Sequence, residues 1–342
     1  MTFPTTRSRV TFPIAALALL AACGSSVQKA EQGSAITAKA AAAVATTAGV
    51  TTTTSTSTAT ATVTTTPAPS FPVTIKATNG AVTIAAKPVK IISLSPTATE
   101  MLFAIGAGKQ VIAVDDQSNF PADAPKTDLS GFKPNVEAIA QKQPDLVVIG
   151  DDSQKLSDAL GALKIPTLLE APATTLDDSY AQLAQLGAAT GHGAEAKQLT
   201  TDVAKGIDAA VAKAGKRTKA LTYYHELDPT YYTATAKTFI GQIYAKFGLV
   251  NIGDSADDGS GYPQLSAEKI VAANPDLVFL ADVKCCQQTA DAVSARPGWN
   301  VITAVKAKHV VALDDDIASR WGPRVVDLAN SIATALVAIP AS

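Results

Sequence analysis

Short apolar runs alternate with amphipathic stretches from Val73 to the end of the chain. Residues 90–94, Lys-Ile-Ile-Ser-Leu, predict a buried strand. Residues 97–105 predict a helix, stopped by Gly106 and Gly108, and residues 111–114 a second strand. A helix over 135–143, a strand over 145–149, a helix over 156–163 and a strand over 166–169 follow. A second series opens with a strand over 219–224. It continues with helices over 239–247 and 266–273, strands over 276–280 and 310–313, and a closing helix over 323–337. Between the two series, residues 195–214 hold a single glycine, Gly206, and read as one long helix. Strands that alternate with helices in this way predict parallel sheets covered by helices.

The two series are related. Residues 135–150 align with residues 266–281, 131 positions later. Glu137/Glu268, Ile139/Ile270, Pro144/Pro275, Asp145/Asp276, Leu146/Leu277 and Val147/Val278 are identical pairs. Each copy starts at a helix-capping residue, Asn135 or Ser266, and carries a Glu in the first turn. A proline then ends the helix, and an apolar strand follows. The expected fold is α/β: two Rossmann-like lobes, 73–191 and 216–342, joined by a single long helix over 192–215, with a ligand cleft between the lobes.

The first 72 residues follow a different pattern. Arg7 and Arg9 precede an apolar run over 10–22, too short to span a bilayer comfortably and typical of a secretory signal. It ends Leu20-Ala21-Ala22-Cys23-Gly24, which resembles a bacterial lipobox with Cys23 as the lipidated first residue of the mature chain. Residues 1–22 are thus expected to be removed. Residues 23–72 are Ala, Thr and Ser with little else, and are expected to form a disordered tether. Such a tether would reach about 35–40 Å from the membrane. The protein is therefore expected outside the cytoplasm, anchored to the cell membrane through Cys23.

Charge and motif content remove several functions. The net charge is −2, and loss of the two signal arginines leaves 26 basic against 30 acidic residues. No positive field exists to attract nucleic acid. Three Cys and three His exclude a disulfide-dense scaffold. His192, His225 and His309 form no convincing metal trio, although His225 is placed to line the cleft. No nucleophile–base constellation stands out, so no catalytic residues, no resident metal and no cofactor are expected.

Ligands of open α/β sheets bind beyond the carboxyl ends of the strands. That rule selects Pro96, Thr97, Gln117, Phe120 and Phe132 in the first lobe, and Tyr231, Tyr232, Tyr262, Arg320 and Trp321 in the second. Five of the seven Tyr fall within residues 223–244, with Tyr262 close behind. Of Tyr223 and Tyr224, on one strand, one is expected to face the core. The loop aromatics are expected to mark a ligand surface. Cys285-Cys286 admits three readings: a vicinal disulfide in an oxidising compartment, a soft-metal or cobalt-facing pair, or two loop cysteines without function.

Residues 73–342 resemble the substrate-binding proteins of ABC importers, of the helical-backbone type that serves vitamin B12, haem and ferric siderophores. The residues that carry the resemblance are Ile91-Ile-Ser-Leu-Ser-Pro-Thr-Ala-Thr-Glu100 with Gly106-Ala-Gly108, Asn135-Val-Glu-Ala-Ile139 with Pro144-Asp-Leu-Val147, the second Glu268 and Pro275-Asp-Leu-Val278 copy, and Arg320-Trp-Gly-Pro-Arg324. The cobalamin branch is the most similar. The resemblance implies a monomer that captures a large metal chelate and delivers it to a permease dimer with its ATPase. It also implies that Glu137 and Glu268 dock onto permease arginines; alternatively both acids only complement their helix dipoles. The tyrosine usual in the loop after strand two of the cobalamin branch is Gln117 here. A corrinoid is the first ligand reading. A ferric siderophore or haem is the alternative, with Arg320 pairing ligand carboxylates, Tyr231 or Tyr232 facing iron, and Arg324 kept as a structural ion-pair residue. A secreted sensor, adhesin module or enzyme on the same scaffold is the third.

Overall fold

A computed structural model describes residues 70–340. The expected signal peptide, the expected lipidation site at Cys23 and nearly all of the expected tether lie outside the described residues.

The described chain opens with an antiparallel hairpin, β1 (Val73–Ala77) and β2 (Gly80–Ile84). The first lobe then runs β3 (Ile91–Leu94), α1 (Pro96–Ala104), β4 (Val111–Val114), α2 (Val136–Gln141), β5 (Leu146–Ile149), α3 (Leu156–Ala162) and β6 (Thr167–Leu169). Two helices lead out of it, α4 (Leu176–Thr190) and α5 (Gly193–Ala214). The second lobe begins β7 (Thr222–Glu226), α6 (Phe239–Lys246), β8 (Val250–Asn251), α7 (Ala267–Ala273) and β9 (Leu277–Leu280). The short helices α8 (Val283–Cys286), α9 (Ala290–Ser294) and α10 (Thr303–Lys306) precede β10 (Val310–Ala312). The chain closes with α11 (Asp315–Ser319) and α12 (Val325–Val337).

Both sheets are four-stranded and parallel, in the orders β4-β3-β5-β6 and β8-β7-β9-β10. Counted from the first strand of each lobe, the two orders are the same. The internal repeat falls on α2–β5 and α7–β9. Its shared aspartates do the same job twice. The Asp145 carboxylate accepts the Val89 and Lys90 amides, each at 2.9 Å, at the start of β3. The Asp276 carboxylate accepts the Thr222 amide at 2.8 Å and its hydroxyl at 3.0 Å, at the start of β7. Each aspartate thus pins the central strand to its neighbour.

β3, β5 and β9 are buried at every position, because helices cover both faces of each sheet. Separate apolar clusters fill the two faces of each sheet. For the same reason Tyr223 and Tyr224 both enter the core, one on each face, rather than one alone. β7 begins at Thr222 instead of Lys219 and extends to Glu226, two residues beyond the expected end. That shift draws His225 and Glu226 into the interior.

Helix α5 spans 22 residues, about 33 Å at 1.5 Å per residue. It packs between α4 and α12. Gly206 allows the approach: a Cβ there would lie 2.7 Å from Val326 Cγ1. Helix α4 starts in a capping box, in which Thr175 and Asp178 each bond the other's backbone amide. The Asp178 carboxyl is held below its usual range by the Thr174 hydroxyl and Thr175. No described helix is long and apolar enough to cross a membrane.

Candidate functional site

The carboxyl ends of the first-lobe strands open into a recess of about 420 Å³, walled on its far side by α11 and the residues after it. Ser95 follows β3, and its hydroxyl accepts the Ala98 amide at 3.3 Å, which starts α1 with Pro96 in its first turn. Pro96 and Thr97 are thereby fixed at the rim. Asp115 follows β4, buried, and accepts the Ser118 hydroxyl. Burial raises its carboxyl above the usual range, against the lowering effect of that hydroxyl. Thr99 links Ser118 (2.9 Å) to Ser93 (2.8 Å), so hydroxyls satisfy the floor. Gly131 lies against the end of β3: a Cβ would come within 2.7 Å of the Leu94 carbonyl oxygen. The next residue, Phe132, projects from the rim with 74% of its surface exposed.

The recess collects Pro96, Thr97, Gln117, Phe132, Arg320 and Trp321 from the predicted set. The other four lie elsewhere. Phe120 sits under the Arg324 guanidinium, 4.2 Å from its ring centroid. Tyr231 stacks on buried Trp299 at 6.0 Å and faces Arg296 at 5.4 Å, so it packs half-buried on the second-lobe apolar cluster. Tyr232 and Tyr262 are exposed on loops that follow β7 and β8. Expected at the cleft, His225 is fully buried and bonds the Tyr244 hydroxyl at 2.9 Å. Burial pulls its imidazole down to about 4, so it is neutral.

Glu100, which sequence reasoning used only as part of a matching stretch, is the hub between the lobes. It is 3% exposed. Arg320 donates to its Oε1 at 2.7 Å, and Arg324 donates to both carboxylate oxygens. Arg320 also donates to Asn119 Oδ1 (2.9 Å), the Gln117 carbonyl (3.1 Å) and Asp316 (2.7 Å). Asn119 donates to Asp316 at 3.0 Å. Both arginines are therefore engaged by protein acceptors, Arg320 as fully as Arg324. Trp321 is anchored likewise: its indole N–H donates to Gln182 Oε1 at 2.7 Å, and its carbonyl accepts the Ser179 hydroxyl at 2.6 Å. Its ring packs on the apolar clusters of both lobes.

In the second lobe, Arg296 forks onto the buried Glu226 carboxylate with two bonds of 2.6 Å. Asp282 lies beside them, fully buried. Burial, and then the Glu226 carboxylate, push its carboxyl well up. Cys285 and Cys286 close a vicinal disulfide in α8, with Cα atoms 3.8 Å apart. Among the described residues no group of three or more His, Cys, Asp or Glu could hold a metal ion.

Glu137 and Glu268 are exposed in the first turns of α2 and α7, the two copies of the repeat. Glu268 is held below the usual carboxylate range by its own backbone amide and by Ser266. Neither acid forms an ion pair within the described residues.

Residues 91–317 match the periplasmic binding protein family. An uncharacterized ABC transporter substrate-binding lipoprotein of Bacillus subtilis, YvrC, is 32% identical over 277 residues, covering 78% of this chain and 86% of its own. A cobalamin-binding protein of Halobacterium salinarum is 31% identical over 270 residues, covering 75% and 72%. Among solved structures, the periplasmic vitamin B12 binding protein BtuF of Vibrio cholerae superposes with a TM-score of 0.62 at 24% identity, covering 74% of this chain and 98% of its own. That likeness is one of fold.

Proposed function

The chain belongs to the periplasmic binding protein family, and from that premise we propose that it captures a corrinoid between its lobes and delivers it to a membrane permease. The family is one of extracytoplasmic, non-enzymatic substrate-binding components of ABC transporters, and it carries its ligand as cargo rather than as a cofactor.

The observation that carries the ligand reading is the engagement of the cleft cations. Arg320 and Arg324 both close on Glu100, so neither guanidinium is free for the carboxylates of a haem or the anionic arms of a siderophore. Tyr231 is stacked on Trp299 and is poorly placed to face iron. What remains at the recess is Pro96, Thr97, Gln117, Phe132, Pro172 and Trp321, apolar and neutral polar groups, together with the carboxylates of Asp115, Asp151 and Asp316, which disfavour an anionic ligand. Such a lining suits a chelate whose own macrocycle already satisfies its metal. Tyr232 and Tyr262 offer aromatic surface on the other lobe. The Bacillus relative named as a lipoprotein supports anchoring through Cys23. Exposed acids at equivalent sites of the two lobes, with no ion pair among the described residues, support Glu137 and Glu268 as permease contacts.

Calorimetric titration with cyanocobalamin, hemin and a ferric hydroxamate siderophore tests the reading. Saturable heat from cyanocobalamin alone is expected. Saturation by hemin or the siderophore instead would sink it. Truncating Phe132 to Ala should weaken corrinoid binding by roughly tenfold, without changing thermal stability, because most of its surface is exposed in the free protein.

A further inference from the structure

Nothing in ligand capture calls for the Cys285–Cys286 disulfide, yet its surroundings tie it to the junction of the lobes. Cys285 is exposed on α8. The Lys284 amide donates to both oxygens of Asp315, at 3.0 and 2.9 Å, and the Cys285 amide donates to Oδ2 at 2.8 Å. Lys284 Nζ lies 2.8 Å from Asp314 and 2.9 Å from Asp316. Asp316 in turn accepts from Arg320 and from Asn119 of the first lobe. On the inner side, the Asp282 carbonyl accepts the Cys286 and Gln288 amides, each at 3.3 Å. Gln288 Oε1 accepts from Arg296 at 2.8 Å. The disulfide therefore sits on a four-residue turn whose amides grip α11, and α11 grips the other lobe. A bond between adjacent residues closes a small ring, which restrains the torsions that aim those amides. Opening the ring restores that freedom.

We infer that Cys285–Cys286 is a thiol–disulfide exchange site for a dithiol, and that its redox state sets how firmly α8 holds α11 and the inter-lobe clamp. One thiolate of the dithiol attacks an exposed sulfur. The Cys285–Cys286 bond breaks, a mixed disulfide forms, and the other cysteine leaves as a thiolate and takes up a proton. The second thiolate of the dithiol then attacks its own sulfur in the mixed disulfide. The second cysteine is released and protonated, and the dithiol departs as its disulfide. Two electrons pass to the protein, and no other reactant is consumed. The oxidised form is the resting state of an oxidising compartment. The inference does not depend on which ligand the cleft takes.

Hydrogen exchange on the ligand-free mature chain, before and after dithiothreitol, tests it. Alkylation and mass spectrometry of the peptide bearing both cysteines report the redox state. Reduction is expected to expose both thiols in the folded protein and to speed exchange of the amides at 283–288 and 314–321 several-fold, while β3, β5 and β9 stay protected. The Cys285→Ser/Cys286→Ser double variant should exchange like the reduced protein and ignore the reductant. A disulfide that dithiothreitol reaches only on unfolding would overturn the inference. So would identical exchange at 314–321 in oxidised and reduced protein.

Discussion

Glu100 is the residue on which the inter-lobe contacts converge. Two guanidinium groups meet one carboxylate that is almost fully withdrawn from water. Removing one partner of such a group leaves buried charge without compensation, which costs about 3–5 kcal/mol. Glu100→Ala should lower the urea midpoint by a corresponding amount, and Arg320→Ala should lower it less, since Arg324 still pairs the carboxylate. A midpoint unchanged in both variants would show that the charges are solvated. Four other buried groups, His225, Glu170, Asp282 and Asp115, contribute to the pH dependence. His225 is pulled from 6.5 to about 4, so the unfolded chain binds its proton more readily, and stability falls as pH drops from 6.5 towards 4. Glu170, buried, is pushed from 4.5 to about 8, and Asp282 and Asp115 are raised as well. For these acids the unfolded state ionises first, so stability falls as pH rises above 4.5. Between 4.5 and 6.5 the two effects oppose. Between 6.5 and 8 the acids act alone. Urea midpoints across pH 4–9 should therefore decline on the alkaline side, and Glu170→Gln should flatten that decline. An equally steep decline in the variant would assign it elsewhere.

The repeat shows what an element inherits from sequence. Helix, proline, aspartate and apolar strand recur because each aspartate pins the strand beside it, at Val89 and Lys90 in one lobe and at Thr222 in the other. Hydrogen bonds to a charged group are worth about 1.5–3 kcal/mol. Asp145→Ala and Asp276→Ala should each destabilise by that order in chemical denaturation; a loss in only one lobe would break the equivalence. These elements were legible because their apolar runs are continuous and their caps are local. Others carried signals that periodicity overlooks. Asn79-Gly80 marks the β1–β2 hairpin, and Thr175-Leu-Asp-Asp178 marks the start of α4. The recess was legible only in part. Strand-end logic gathers Pro96, Thr97, Gln117, Phe132, Arg320 and Trp321, because it needs only the direction of the chain. It misplaces His225, because a strand end two residues later turns a loop residue into core. It misses that Arg320 is engaged by Glu100, 220 positions away, a pairing no local pattern contains. Gly131 carries no periodic signal, yet its missing side chain admits the Leu94 carbonyl to the floor. Gly131→Ala should force the end of β3 to shift, lowering thermal stability and weakening ligand binding, read by calorimetry beside the parent.

At the scale of the whole molecule, duplication gives two lobes of one topology, each presenting an acid in the first turn of the same helix. Glu137 and Glu268 carry no ion-pair partner among the described residues and do not line the recess. An acid that merely complements its helix dipole contributes little at an exposed site and acts on its own lobe alone. Acids that dock act together, on a partner with two matching cations. The two roles separate in a binding measurement against the detergent-solubilised permease–ATPase complex. If both dock, Glu137→Ala and Glu268→Ala each weaken capture, the double variant abolishes it, and ligand affinity is unchanged in all three. Capture should also weaken with salt, because exposed charges farther apart than about 8–10 Å are screened at physiological ionic strength. If the acids serve only their helices, the double variant loses a little thermal stability and binds the complex as the parent does. That second outcome would remove the docking role and leave the repeat as a feature of folding alone.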